Sequence, residues 1–548
     1  MTGVTRSRVV INTNPRRRER RTTSVTKARI STKLAAAGIG VTAAGAGVAA
    51  SSGVAALTNS PSPIISVGNR FIILTPAWLK DFAIQQFGTN DKAVLIGSTV
   101  VVLALIAAVA GVIGLRHPRV ALAITAAVGL VAIAAAAIDR TTDVNIGLKL
   151  VPAVVALVVS VGALAWMLTA FNGRDERKKR VLLAAHPGDD APSGFDRRKF
   201  LAAVMGTGLV IVAGGIVTKL FGGSAAAGSR AEVMIPKPAE LAPPIPAGAQ
   251  AEVSGVSSYI TSNTNFYRID TALQVPDVPA DTWNLRIHGL VDDELNFSFQ
   301  DLLDEQLIER RITLTCVSNE VGGPYIGNAT WIGVSTKALL ERAGVQAGAD
   351  AVKSTSADNM TIGTPLGALT DDRGSLIAIA MNGEPLPLEH GFPARMVVPG
   401  LYGYVSATKW LTDIEVTRFS DFDAYWTPRG YAEEAPIKFS SRIDVPKSFQ
   451  SFDRDAVRVG GVAWAQTVGI KAIEVMVDDG PWQQVKLAAE DNIATWRQWS
   501  WQWKDATPGS HSLTVRATDA SGKTQTSDRV KPLPDGSTGW HSVQFTVT

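Results

Sequence analysis

The chain has 548 residues, 46% of them hydrophobic, with 53 Lys and Arg against 49 Asp and Glu for a formal net charge of +4. Its single cysteine, Cys316, excludes an intrachain disulfide, and the lack of any Cys-x-x-Cys-His run excludes a c-type haem attachment. The slightly positive mean hydropathy blends two unlike halves: residues 1 to about 223 are rich in Ala, Val, Leu and Gly, while the rest is a mixed polar chain holding most of the 13 tryptophans.

Residues 1–33 read as a basic cytoplasmic tail, in which Arg6, Arg8, Arg16, Arg17, Arg18, Arg20, Arg21, Lys27, Arg29 and Lys33 stand against Glu19 alone. Cations directly before an apolar run mark the inner face of a membrane, so the expected partner is lipid rather than nucleic acid. Five stretches then approach the roughly 20 apolar residues that a bilayer crossing needs: 34–57, 93–115, 120–138, 150–171 and 200–222. They predict a five-helix membrane anchor over 34–222. Gly, Ala, Ser and Thr dilute the first. With the tail inside, Arg116, Arg119 and the 174–180 cluster all fall inside as well, and the 139–143 loop falls outside.

The fifth stretch opens with Asp196-Arg197-Arg198-Lys199-Phe200-Leu201, which resembles a twin-arginine export signal placed internally. That route carries folded cargo, as a domain that takes up its cofactor in the cytoplasm would require. Everything beyond about 223 is expected to be extracytoplasmic. None of the six histidines, 117, 186, 288, 390, 511 and 541, lies in a span, so no b-type haem is expected there. The spans carry no mid-membrane charge and read as anchors.

Residues 223–262 lack periodicity, and Lys-Pro-Ala-Glu-Leu-Ala-Pro-Pro-Ile-Pro-Ala-Gly (237–248) predicts an extended linker. From 263 to 435 strands and short helices interleave in α+β fashion, with strands over 283–289 and 311–316 and helices over 298–309 and 335–343. From 436 to 548 five alternating runs, 457–464, 472–477, 499–503, 512–516 and 541–547, predict an all-β immunoglobulin-like sandwich. Trp496, Trp499, Trp501 and Trp503 are assigned to core and interface.

Position alone leaves Cys316 open as core filler, nucleophile or metal ligand. Its surroundings read Arg311-Ile-Thr-Leu-Thr-Cys316-Val-Ser-Asn319-Glu320-Val-Gly-Gly, then Ala329-Thr-Trp331-Ile-Gly-Val-Ser. Further on come Glu389-His390-Gly-Phe-Pro-Ala-Arg395 and Gly403-Tyr-Val-Ser406-Ala-Thr-Lys409-Trp410. In this order and spacing the pieces resemble the sulfite-oxidase superfamily of molybdopterin enzymes over roughly 255–548, and the C-terminal sandwich resembles that family's dimerisation domain. The resemblance implies a mononuclear molybdenum held by molybdopterin, with Cys316 as metal ligand and catalytic centre. It implies cofactor contacts from Asn265, Phe266, Tyr267 and Arg268 of the Asn263-Thr-Asn-Phe-Tyr-Arg268 run, from Ser356 and Asp358, and from His390. Arg395 and Lys409, with Ser406, Ala407 and Thr408 lining the loop, would hold the pterin phosphate. The chemistry agrees: a soft thiolate suits this metal, and a phosphate dianion calls for guanidinium or ammonium donors.

One departure bears on substrate. Sulfite oxidases carry arginines after the ligand cysteine, whereas here Asn319 is followed by Glu320, which places a carboxylate where an anion wants a cation. The expectation is therefore two-electron oxygen-atom transfer with a small oxo-donor or oxo-acceptor, S- or N-oxide reduction standing ahead of sulfite-type oxidation. The absence of haem motifs leaves electron exchange to an external quinone or cytochrome, and the sandwich implies a homodimer. The competing classes are a non-catalytic membrane receptor or scaffold and a five-span transporter.

Overall fold

The computed structural model describes residues 15–58, 60–76, 79, 82, 86–87, 91–139, 145–184, 205–216, 224–454, 457–504 and 506–548. The chain forms two compact units, a helical one built from Met1–Leu74, Asn90–Asp139 and Asp143–Gly223, and a β-rich one carrying Ser224–Thr548 together with Thr75–Thr89 and Arg140–Thr142.

In the helical unit, α1 (Pro15–Thr58) is one continuous helix, so the second half of the basic tail is helical and runs directly into the first apolar stretch. It is followed by α2 (Pro63–Leu74), α3 (Asp91–Gly114), α4 (Pro118–Ile138), α5 (Ile146–Ala184) and α6 (Met205–Ile216). Among the described residues, four segments are long and apolar enough to cross a membrane: Thr32–Thr58, Lys92–Gly114, Pro118–Ile138 and Ile146–Phe171. Of the expected 200–222 span only α6 is described, and its 12 residues fall short of a crossing. Arg197 and Arg198 lie outside the described residues. Helix α2 was not anticipated, because Asn69 and Arg70 interrupt an apolar run already too short to register as a span.

The small residues that dilute α1 have a packing reason. A β-carbon at Gly40 would overlap the Ala107 carbonyl of α3, and one at Gly111 would overlap the Ala36 carbonyl, so the two backbones approach as only glycine permits. On other faces Leu105, Val109, Val131 and Val158 are exposed, as on a lipid-facing surface. At the C-terminus of α4, Arg70 Nη2 donates to Ile138 O at 3.0 Å and Lys149 Nζ to Asp139 O at 2.8 Å, two cations at the negative end of the helix dipole.

In the β-rich unit the expected linker is instead a structured strap. Helix α7 (Ala225–Glu232) is capped by Ser224 and buries Ala226, and Arg230 pairs with Glu384 at 3.0 Å. Ala239 N donates to Leu307 O at 2.9 Å, while Ala249 and Tyr259 are buried. Aperiodic sequence reads as loose chain, but here it is extended backbone finding partners on a neighbouring domain.

Two sheets carry the following segment. The first, in the order β2-β1-β10-β5-β6, joins β1 (Asn284–Gly289), β2 (Leu295–Ser298), β5 (Ala351–Ser356), β6 (Thr361–Pro365) and β10 (Leu411–Thr417). The second, β3-β4-β7-β8, joins β3 (Ile308–Thr315), β4 (Ile326–Ser335), β7 (Leu376–Met381) and β8 (Glu384–Pro385), with β9 (Arg395–Val397) on β7. Both contribute to one apolar core that includes Leu285, Ile312, Trp331 and Val416. The helix expected over 298–309 is only α8 (Phe299–Asp304), started by a Ser298–Asp301 capping box; beyond it Leu307 is buried and the chain enters β3 at buried Ile308. Helix α9 (Thr336–Ala343) starts at Ser335 and ends on left-handed Gly344, as read.

The C-terminal strands form two further sheets: β11 (Ser440–Val445), β13 (Arg458–Trp464), β17 (Arg497–Gln502) and β16 (Lys486–Leu487) in that order, and β12 (Ser451–Phe452), β19 (His541–Val547), β18 (Gly509–Asp519), β14 (Ile470–Val477) and β15 (Gln483–Gln484) in that order. Val459, Trp499, Leu513, Val515 and Phe545 share a core between them. Trp464 and Trp496 pack with Ala249, Tyr259 and Ile326 where these sheets meet the preceding ones. The same seam holds a buried ion pair, in which Arg311 Nη2 lies 2.8 Å from Asp491 Oδ1 and the two side chains are 6% and 2% exposed.

Candidate active site

Cys316 is the first residue after β3, and both its backbone polar groups are hydrogen-bonded within its loop. Its N–H donates to Tyr325 O at 3.0 Å, and its carbonyl accepts from Asn319 N at 3.0 Å. Burial pushes the thiol pKa up, against hydrogen bonds from the Ser318 backbone and side chain. A thiol so placed is a weak free nucleophile, whereas metal coordination would deprotonate it.

A chain of side chains runs from this thiol through most of the residues singled out in the sequence. Tyr267 is held protonated by burial, feels the Cys316 charge next and is opposed by Arg395, so it stands within electrostatic reach of both. Phe266 stacks on Tyr267 at 5.2 Å and meets the His390 ring edge-on at 5.6 Å and Trp331 at 5.8 Å. His390, 3% exposed, bonds through Nε2 to Asn263 O at 2.9 Å. Burial first, then the Arg395 and Lys409 charges, lowers its pKa to about 4 despite that bond, so the ring is neutral at pH 7.

Arg395 lies at the start of β9. Nη1 donates to His390 O at 3.0 Å, Nη2 to Ala407 O at 3.4 Å, and the guanidinium sits 5.2 Å from the Trp331 ring centroid. Burial drags its pKa down to about 10. Its Nε is buried with no hydrogen-bond partner among the described residues, as is Thr315 Oγ1 beside Cys316. Lys409 Nζ lies 2.7 Å from Asp270 Oδ2, which Arg268 Nε also meets at 3.0 Å. Gly391, at φ +110°, lets the chain turn where a side chain would press on Lys409 and Arg395 Cβ.

The remaining positions divide. Ser406 Oγ donates to Leu401 O and Tyr402 O, and Thr408 Oγ1 pairs with Ser354 Oγ at 2.6 Å, so both hydroxyls shape the 403–409 loop while Ala407 supplies a carbonyl. Ser356 Oγ and Asp358 Oδ1 bond to each other at 2.5 Å, beside the Ala357 N–H that donates to Trp410 O. Asn265 is exposed; Asn263, two residues earlier, is the one built into the site, its side chain held by Glu384 and Asn382. Sequence reasoning missed Asp270, whose only signal was an acid close behind Arg268. It also missed Tyr402, which is buried and feels the Cys316 charge.

An oxidoreductase molybdopterin-binding domain model matches residues 272–426. The uncharacterized oxidoreductase YuiH of Bacillus subtilis is 35% identical over 182 residues, 32% of this chain and 88% of that one. Mitochondrial sulfite oxidase of Macaca fascicularis is 29% identical over 345 residues, 53% of this chain. The match spans 62% of that relative's length, and the same share of human sulfite oxidase at 28% identity. A solved structure, the sulfane dehydrogenase SoxCD from Paracoccus pantotrophus, aligns over 53% of this chain and 82% of its own with 21% identity and a TM-score of 0.47. The family model and the sequence matches define an oxidoreductase domain that binds a molybdopterin cofactor carrying molybdenum. Within that class, the chain belongs to the sulfite-oxidase superfamily.

The residues present fit that cofactor. A buried guanidinium with an unpartnered Nε, no carboxylate among its hydrogen-bond partners and a pKa depressed by burial is a cation prepared for an anion such as the pterin phosphate.

Proposed function

We propose that the protein is a membrane-anchored, extracytoplasmic oxidoreductase catalysing two-electron oxygen-atom transfer at a molybdenum ligated by Cys316. When bound, the cofactor supplies the two-electron centre and the oxo group. Cys316 contributes the protein thiolate, and its loop, closed by the Tyr325 and Asn319 bonds, keeps the sulfur in place. Arg395 and Lys409 would hold the phosphate, with the backbone carbonyls of Ala407 and His390 orienting the guanidinium. Phe266, Tyr267 and Trp331 form an apolar wall that excludes water from the pterin side. Arg268 and Asp270 fix Lys409, while Ser356, Asp358, Ser406 and Thr408 shape the adjoining loops, and Asn265 contributes from the rim.

Glu320, exposed on the Cys316 loop, disfavours an anionic substrate and points to an uncharged S- or N-oxide. Electrons come from a quinone or cytochrome. Five helices anchor the chain with its tail inside, the twin-arginine pair directs export of the folded domain, residues 263–435 hold the cofactor, and residues 436–548 form an immunoglobulin-like sandwich that pairs two copies. The unpartnered Arg395 Nε is the observation that carries this reading. Full-length protein purified from membranes should contain near-stoichiometric molybdenum and release a fluorescent pterin on oxidation. Cys316→Ser should abolish two-electron reduction of an S- or N-oxide with a reduced viologen dye as the electron donor, and undiminished turnover in that variant refutes the assignment.

A further inference from the structure

The loop that begins at Cys316 is gripped from the C-terminal sheets. Arg442, on β11 (Ser440–Val445), donates from Nη1 to Gly323 O at 3.0 Å. Its own orientation is fixed by Asp444 Oδ1 at 2.7 Å and Ser257 Oγ at 2.9 Å. Ser537 Oγ donates to Asn319 O at 2.7 Å. The His541 imidazole, at the start of β19 (His541–Val547), lies against Gly322 so closely that a β-carbon there would overlap the ring. His541 Nδ1 accepts from Ile443 N at 3.0 Å, which sets the ring's orientation.

These three side chains come from separate stretches of one domain and converge on residues 319, 322 and 323 of one loop. Inside the loop the grip passes directly to the cysteine. Asn319 N donates to Cys316 O, Asn319 Oδ1 accepts from Tyr325 N at 2.8 Å, and Tyr325 O accepts from Cys316 N. Adhesion between the domains has other means, since the Arg311–Asp491 pair and the Trp464–Trp496 cluster join them without touching this loop.

We propose that the C-terminal domain is a working part of the active site, with Arg442, Ser537 and His541 as positioning residues that set where the Cys316 sulfur stands. The functional consequence rests on Cys316 being the metal-binding residue, but the positional claim does not. Because Cys316 is the sole thiol, its alkylation by iodoacetamide reports on one atom of the full-length, detergent-solubilised protein. In cofactor-free protein, Ser537→Ala and Arg442→Met should each accelerate alkylation about 10-fold through the lost loop hydrogen bond, and Ser537→Thr should restore the original rate. In loaded protein the same two variants should shift the Mo(V) electron paramagnetic resonance and lower kcat with KM little changed. Leu513→Ala weakens the same domain from its core, where Leu513 is fully buried, and should leave the alkylation rate alone. Unchanged rates in Ser537→Ala and Arg442→Met, or an equal rise in Leu513→Ala, overturn the proposal. Failure of the molybdenum assignment would show separately, as wild-type protein without molybdenum.

Discussion

Arg395→Met separates a functional cation from a structural one. In cofactor-free protein the burial that lowers the Arg395 pKa from 12.5 to about 10 corresponds to a cost of about 3 kcal/mol at about 1.4 kcal/mol per unit, which methionine would relieve. Against that, the substitution loses the hydrogen bonds to His390 O and Ala407 O, about 1 kcal/mol each. It also loses the contact with Trp331, on the order of 1 kcal/mol. The effects nearly cancel, so the cofactor-free thermal midpoint should move by no more than a few degrees. Loaded protein behaves differently, because a charge-assisted bond to a phosphate is worth about 1.5–3 kcal/mol, or about 10- to 100-fold in cofactor retention. The assay is the thermal midpoint with and without cofactor, alongside molybdenum per polypeptide by mass spectrometry. If the variant unfolds far earlier when cofactor-free yet keeps its molybdenum, Arg395 is a structural residue and the reasoning fails.

Three further outcomes follow from the same geometry. His390 is held near pKa 4 in the folded state against 6.5 for the unfolded chain, so its stability contribution is complete above about pH 6.5 and lost as pH falls toward 4. That amounts to about 3 kcal/mol, and His390→Gln should flatten thermal midpoint against pH across this window. Asp270→Asn takes the shared carboxylate from Lys409 and Arg268 and should cost about 2–3 kcal/mol of stability; adding Lys409→Met should recover part of the loss in the same melting assay. Asp491→Ala leaves Arg311 buried and unpaired, which should cost about 3–5 kcal/mol, whereas Arg311→Met with Asp491→Leu should be close to neutral in chemical denaturation.

What the sequence made legible was whatever is local. The capped α9, the alternating C-terminal strands and the apolar helices are written in periods of two and 3.6 residues and in turn residues at their ends. Helix α2 and the 224–262 strap lack such periods: the first is too short to stand out, and the second is shaped by the surface it lies on. Arg395 and Lys409 stand out in the sequence as candidate phosphate-binding cations because residue type and chemistry suffice to pick an Arg and a Lys beside glycine turns. Asp270 escaped because an acid near two bases is unremarkable until folding brings Lys409, 139 positions away, onto its carboxylate.

Long-range contact changes the account of Cys316 most. A soft thiolate at the end of a strand can be read from seven residues, but a ligand must also be held at a set point, and a loop containing Gly322 and Gly323 does not hold itself. Its carbonyls at 319 and 323 are fixed by Ser537 and Arg442, 218 and 119 residues further along. Such a contact costs loop-closure entropy and leaves no local pattern. The chain therefore carries its candidate ligand atom in one place and stores what positions that atom in another domain. A C-terminal region that resembles a dimerisation module would thus act on the reaction even in a single copy.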